Sequence, residues 1–122
     1  MFSTPAIGAG GPLRQHQVTH LGGGIPDAHF DIVTSYILHH EVTPEATKKI
    51  VAEAFRVLRP GGVYKPMDFI TTGNPDYKAP SSFTEKALRW RDHRYNNEVW
   101  TLKFRDIDMP ALMRSVGFTD IV

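Results

Sequence analysis

An apolar, β-branched run begins abruptly near residue 30 and is the strongest structural signal in the chain. Asp31–Leu38 reads DIVTSYIL, a composition typical of a strand buried in a parallel sheet. Beyond it, residues 44–58 place their apolar side chains three and four positions apart, which predicts an amphipathic helix. We therefore expect a strand followed by a helix that packs one face against a sheet.

Residues at both ends of this helix carry start and stop signals. Thr43 supplies a capping hydroxyl, and Pro44 occupies the first helical position. At the other end, Arg59–Gly62 (RPGG) predicts a stop and a turn. Val63–Phe69 predicts a second strand, in which Pro66 removes a ladder donor and so favours a bulge or an edge position. Strand, helix and strand together predict a βαβ unit with parallel strands.

The second half of the chain carries shorter patterns. Residues 71–82 are rich in turn formers and predict a loop, after which Phe83–Tyr95 predicts a helix. A short helix is expected over Ala111–Ser115, because an Asp-Met-Pro start precedes it and Gly117 follows it. A third strand is expected over Phe118–Val122.

Residues 1–29 differ in composition from the rest of the chain. Glycine and proline recur throughout this segment, which predicts turns and irregular backbone. We therefore divide the chain into a Gly/Pro-rich segment, residues 1–29, and a partial α/β domain, residues 30–122.

Composition and charge narrow the function classes. The chain has 122 residues, of which 41% are hydrophobic and 22% charged, and this fits one globular domain. It contains no cysteine, which excludes disulfides, thiolate metal ligands and a cysteine nucleophile. The net charge of +1 is too balanced for a dedicated nucleic-acid binder. Since the sequence shows neither a membrane span nor a secretory signal, we expect a cytoplasmic location, without nucleic acid or membrane as a partner.

Histidines are the main candidates for chemistry by residue type. His39, His40 and Glu41 follow the first predicted strand, and a neutral imidazole can act as a general base or a metal ligand. Adjacent histidines point in different directions, however, and make poor co-ligands. His16 and His20 could share a helix face and bind zinc, but no third ligand has an evident spacing. We therefore predict no metal site and leave the catalytic residues unassigned.

An acid and several aromatic residues could contribute to a substrate pocket. Asp68 ends the second predicted strand, where it could line a pocket or cap a turn. Four aromatic residues could form either an apolar lid or part of the core: Trp90, Tyr95, Trp100 and Phe104.

Four pieces of the sequence together resemble class I S-adenosylmethionine-dependent methyltransferases of the small-molecule type. They are Phe30–Val33 (FDIV), Leu38–Glu41 (LHHE), Ala54–Gly62 (AFRVLRPGG) and Asp68. The resemblance implies a Rossmann-like fold, truncated here, with a mainly parallel sheet and flanking helices. The predicted βαβ unit would then contain the fourth and fifth strands of that fold. Met109–Val122 resembles the next helix and the sixth strand.

The resemblance also implies a cofactor, S-adenosyl-L-methionine (SAM), held on a glycine-rich turn after a first strand. Ile7–Pro12 keeps two glycines of the family pattern, Gly8 and Gly10, but has Ala6 at the usual acidic position. About twenty residues separate it from Asp31, whereas a single βαβ unit takes about 30 residues, so the second and third strands of the family are missing. These glycines admit two interpretations, a cofactor loop or flexible chain.

The carboxyl end of the first predicted strand supplies the other candidate cofactor contacts. Ser35 and Tyr36 stand where ligands bind in open α/β sheets, although ordinary packing at a strand end explains them equally well. By resemblance, the backbone there would approach the methionine portion of SAM. The predicted cofactor-binding residues are Ser35, Tyr36, His40, Gly8 and Gly10.

Two functions are compatible with these patterns. The first is methyl transfer from SAM to a small-molecule acceptor, which requires positioning and exclusion of water but no catalytic triad. The alternative is a catalytically inactive, truncated methyltransferase-like domain that acts as a structural or oligomerisation module. Without the first three strands of the family, the first predicted strand has a long apolar edge, which predicts a homo-oligomer.

Overall fold

The computed structural model describes residues 24–95 and 98–122. The predictions for Gly8, Gly10, His16 and His20 therefore lie outside the described residues. The regular elements, in chain order, are β1 (Phe30–Tyr36), a 3-10 helix (His39–Glu41), α1 (Pro44–Val57), β2 (Leu58–Met67), α2 (Phe83–Tyr95), α3 (Thr101–Arg105) and α4 (Met109–Val116). No helix in this part of the chain is both long and apolar enough to cross a membrane.

The two strands pair in parallel, and α1 connects them, so the predicted βαβ unit is confirmed. The register places Ile32 beside Val63 and Tyr36 beside Met67. One face of this sheet packs on the hydrophobic core, which consists of Val51, Ala54, Leu58, Tyr64, Phe104, Met109, Met113 and Phe118. The predicted α/β class is therefore correct.

Both ends of α1 follow the sequence signals to within one residue, but the turn predicted after the helix does not form. Oγ1 of Thr43 accepts a hydrogen bond from the N–H of Ala46 at 3.1 Å, which caps the helix as predicted. The separate turn predicted at Arg59–Gly62 is wrong, because β2 begins directly at Leu58. Phe30 pairs with Leu58 and Ile32 with Val63, so RPGG forms a bulge within the strand. Gly61, with a φ of 85°, adopts the left-handed conformation in this bulge.

Both strands end earlier than the apolar pattern predicts. β1 ends at Tyr36 instead of Leu38, because Ile37 has a φ of 47° and turns the chain. The N–H of Ile37 still donates to the carbonyl of Met67 at 2.7 Å, where β2 also ends. Asp68 therefore lies just beyond the second strand.

The carboxyl-terminal region confirms the helices and corrects the last strand. The loop over residues 71–82 and the helix Phe83–Tyr95 are present as predicted, and α4 extends the predicted Ala111–Ser115 helix at both ends. The third strand predicted at Phe118–Val122 is wrong, because Asp120 has a φ of 51° and Ile121 forms only an isolated bridge. No sequence pattern predicted α3 or the 3-10 helix.

The sheet is covered on one face only within the described residues. Ile32, Tyr36 and Met67 are exposed on the other face, although parallel sheets are usually covered on both. The edge of β1 away from β2 also pairs with no other strand in residues 24–95 and 98–122. This exposed face and the outer edge of β1 are the surfaces on which further chain or a partner could pack.

Candidate functional site

Polar side chains converge at the carboxyl ends of the two strands. Ser35 lies near the end of β1, Asp68 follows β2, and His39 and His40 belong to the 3-10 helix after β1. Together with Tyr64, we call these residues the strand-end cluster. Ligands of open α/β sheets usually bind at this edge.

Asp68 holds the 3-10 helix against the end of β2. Its Oδ2 accepts the backbone N–H of His39 at 2.8 Å, and its Oδ1 accepts the backbone N–H of Phe69 at the same distance. Oδ1 also lies 2.6 Å from Nδ1 of His40. The side chains of Asp68 and His40 are 5% and 3% exposed, so this pair is nearly free of solvent. The carboxylate thus caps the turn, one of the two roles that the sequence left open.

A second set of hydrogen bonds joins His39, Tyr64 and Ser35. Nε2 of His39 lies 2.8 Å from the hydroxyl of Tyr64, which in turn lies 3.2 Å from the hydroxyl of Ser35. Burial lowers the pKa of His39 and raises the pKa of Tyr64 to about 12. The imidazole and the phenol are therefore both neutral near pH 7. The other ring nitrogen of His39, Nδ1, is buried without a hydrogen-bond partner among the described residues.

A pocket of about 560 Å³ opens beyond the end of β2. Asp68 and His39 lie at its polar side, which is the second role expected of Asp68, and its apolar wall includes Phe104, Met109 and Met113. The volume lies within the range of about 300–1,000 Å³ that small-molecule sites occupy. Because it also lies at the carboxyl edge of the sheet, where ligands of open α/β sheets bind, this pocket is our candidate for the binding of a small acceptor.

The predicted cofactor contacts are divided between two faces of the sheet. The hydroxyl of Ser35 lies inside the strand-end cluster. The two ring nitrogens of His40 face carboxylates: Nδ1 faces Asp68, and Nε2 lies 3.2 Å from Glu41. The ring of Tyr36, in contrast, is exposed on the uncovered face. None of these three residues lines the pocket beyond β2.

The four aromatic residues considered for a lid do not form one surface. Phe104 is buried in the core and lines the pocket, and its ring stacks on His39 with ring centres 6.0 Å apart. Trp90 and Tyr95 contact each other on the exposed side of α2, and Lys103 lies over the ring of Trp100. Of the four, only Phe104 contributes to the pocket.

One polar residue near this site, Glu98, was not among the candidates predicted from the sequence. Its carboxylate accepts a hydrogen bond from the hydroxyl of Thr101. One carboxylate oxygen each of Glu98 and Glu41 and a ring nitrogen of His40 all lie within 4.8 Å of one another. No sequence spacing signals this group, because Glu98 reaches it through the packing of α3 against the 3-10 helix.

The described residues contain only some of the groups that are predicted to contact SAM. The exposed ring of Tyr36 offers an aromatic surface to a planar group. The side chains of Ser35 and His40 are engaged in hydrogen bonds within the protein, so only the backbone of these two residues is left for cofactor contacts. A complete site needs further groups, for which the sequence offers Gly8 and Gly10. These cofactor contacts stay predictions.

Comparison with known proteins gives one family match. The family model of the methyltransferase domain matches residues 6–64, a stretch that contains Gly8 and Gly10, all of β1 and α1, and β2 as far as Tyr64. Searches of curated proteins and of solved structures found no match. The parallel β1–α1–β2 unit agrees with this family's Rossmann-like sheet. The match supports a class I SAM-dependent methyltransferase domain, and the described residues form part of such a fold.

Proposed function

We propose that this chain transfers a methyl group from SAM to a small-molecule acceptor bound in the pocket beside Asp68. The observation that carries the proposal is the position of the pocket, at the carboxyl ends of two parallel strands in a chain of this family. The sulfonium of bound SAM supplies the methyl group. The residues of the chain bind and orient the acceptor and exclude water.

The lining of the pocket favours an acceptor with one hydrogen-bond donor and an apolar body. A carboxylate offers about four acceptor positions. Three of these on Asp68 are engaged by His39, His40 and Phe69, which leaves one for a hydroxyl or amino group of the acceptor. The apolar remainder of such a molecule would contact Phe104 and Met109.

The cofactor contacts proposed here are the backbone at Ser35 and His40, the ring of Tyr36, and the glycine turn that contains Gly8 and Gly10. Two facts support this set. The family match includes both glycines, and Tyr36 is exposed at the carboxyl end of β1. The predicted cytoplasmic location is retained as part of the proposal.

Calorimetric titration of the full chain with SAM tests this function. A saturable heat with a dissociation constant below about 1 mM is expected, followed by transfer of a labelled methyl group to small hydroxyl- or amine-bearing compounds. S-Adenosylhomocysteine, which keeps the scaffold but lacks the methyl group, should compete with SAM. No heat for either compound would contradict the proposal.

A second candidate function, assembly as a structural or oligomerisation module without catalysis, is favoured by the uncovered side of β1. Ile32 and Tyr36 are exposed there, and no second strand pairs with the outer edge of β1 in the described residues. Such an edge favours pairing with a second copy, so we propose a homo-oligomer. Light scattering at tens of micromolar should report more than a monomer, and Ile32→Lys should shift the protein toward monomer. Assembly without SAM binding would favour this second function over methyl transfer.

A further inference from the structure

One imidazole and two carboxylates form a group outside the acceptor pocket that the proposed methyl transfer does not use. The group, which we call the His-Glu-Glu site, comprises His40, Glu41 and Glu98. Its three potential ligand atoms lie within 4.8 Å of one another, and Nε2 of His40 lies 3.2 Å from a carboxylate oxygen of Glu41. Two ligands at about 2.0–2.1 Å from a tetrahedral zinc ion are themselves about 3.3 Å apart. Nε2 of His40 and the carboxylate oxygen of Glu41 already have this spacing.

An independent observation concerns the opposite side of the imidazole. Nδ1 of His40 lies 2.6 Å from Oδ1 of Asp68, and both side chains are nearly buried. This contact fixes the ring so that Nε2 faces the carboxylates of Glu41 and Glu98. A carboxylate on the far nitrogen is the usual outer partner of a metal-binding histidine, because it selects the tautomer and makes the ligand more basic.

We propose that the His-Glu-Glu site binds a divalent transition-metal ion, zinc by the chemistry of its ligands. Nε2 of His40 and one oxygen each of Glu41 and Glu98 would coordinate the ion, and water would complete a tetrahedron. A mixed imidazole and carboxylate set suits zinc, whereas calcium and magnesium prefer oxygen ligands alone. The chain has no cysteine, so no thiolate site competes for the ion.

The ion would join two elements that shape the acceptor pocket. The 3-10 helix carries His39 as well as His40, and Glu98 lies just before α3, which carries Phe104. The rings of His39 and Phe104 stack at the pocket. The carboxylates of Glu41 and Glu98 repel each other, and a cation bound by both would offset that repulsion. The inference differs from the sequence-based prediction of no metal site, because no sequence spacing brings Glu98 to His40.

Zinc titration of the full chain, freed of any affinity tag and treated with a chelator, tests the site. Glu98→Gln removes one charged ligand but keeps an oxygen for the hydrogen bond with Thr101, so folding should be preserved. We expect this variant and Glu41→Gln each to weaken zinc binding at least tenfold. Asp68→Asn, which alters the outer partner, should weaken it by about 10–100-fold.

Two controls make the result specific. Glu45→Gln makes the same chemical change at an exposed position in the first turn of α1 and should leave zinc affinity unchanged. The double variant His16→Ala, His20→Ala tests the other histidine pair in the sequence and should also bind zinc normally. A dissociation constant of about 100 µM corresponds to a weak site. Failure to bind zinc at about this concentration would overturn the inference. Unchanged binding by Glu98→Gln, or binding lost in the His16 and His20 variant, would overturn it equally.

Discussion

Oδ1 of Asp68 lies 2.6 Å from Nδ1 of His40, and this contact ties the end of β2 to the 3-10 helix that follows β1. The same carboxylate also accepts two backbone N–H groups, from His39 and Phe69. One side chain therefore positions the turn, orients a buried imidazole and borders the acceptor pocket. Its removal should be costly for each of these reasons.

The first prediction concerns Asp68→Asn. An amide keeps one oxygen but places an N–H₂ group against at least one buried donor, so the free energy of unfolding should fall by about 1–3 kcal/mol. Urea unfolding of the full chain measures this. Asp31→Asn is the matched control, because Asp31 makes an exposed ion pair with Arg59 and should cost less than about 1 kcal/mol. Equal losses in both variants would contradict the role assigned to Asp68.

The second prediction concerns the phenol of Tyr64. Burial raises its pKa from 10 to about 12, so folding favours the neutral form. The resulting stability is fully present below pH 10 and is lost as the pH rises toward 12; two pKa units correspond to about 2–3 kcal/mol. Urea unfolding at pH 9 and at pH 11.5 should show this loss, and Tyr64→Phe should show a smaller one. An identical pH dependence in both proteins would contradict the burial of this hydroxyl between His39 and Ser35.

The third prediction concerns Gly117, which ends α4. Its φ is 122°, and a Cβ atom there would lie 2.7 Å from Cζ of Phe55. Gly117→Ala therefore adds backbone strain and a contact with an aromatic ring, and should lower the unfolding free energy by about 1–3 kcal/mol. Gly24→Ala is the control, because Gly24 also has a positive φ but no atom of the described residues lies within 4 Å of such a Cβ. In thermal unfolding, the midpoint temperature of Gly117→Ala should be well below that of Gly24→Ala. The reverse order would count against the packing of α4 on Phe55.

The parts of the fold with strong local signals could be predicted from the sequence. The cap at Thr43 and the spacing of apolar residues define α1 locally, and β-branched residues define β1. The bulge at Arg59–Gly62 was not predictable in this way, because it depends on pairing with Phe30 and Ile32 across the sheet. Local pattern failed likewise at Phe118–Val122, where the positive φ of Asp120 interrupts an otherwise strand-like composition.

In the candidate site, too, residues could be predicted from local sequence but their contacts could not. Asp68 and the two histidines could be singled out by residue type and by their positions at predicted strand ends. Their pairing could not, because it depends on the parallel register and on the turn at Ile37. Tyr64 was hidden within a predicted strand, and Glu98 within a segment without a recognisable pattern.

The measurement that tests the central claim most directly compares SAM affinity in two tyrosine variants of the full chain. Tyr36 and Tyr95 are 71% and 70% exposed, so their replacement by alanine should affect folding to a similar, small extent. If SAM binds at the carboxyl end of β1, Tyr36→Ala should weaken its binding at least fivefold, whereas Tyr95→Ala should leave it unchanged. Equal affinity in both variants, or no SAM binding by the unaltered chain, would contradict the account.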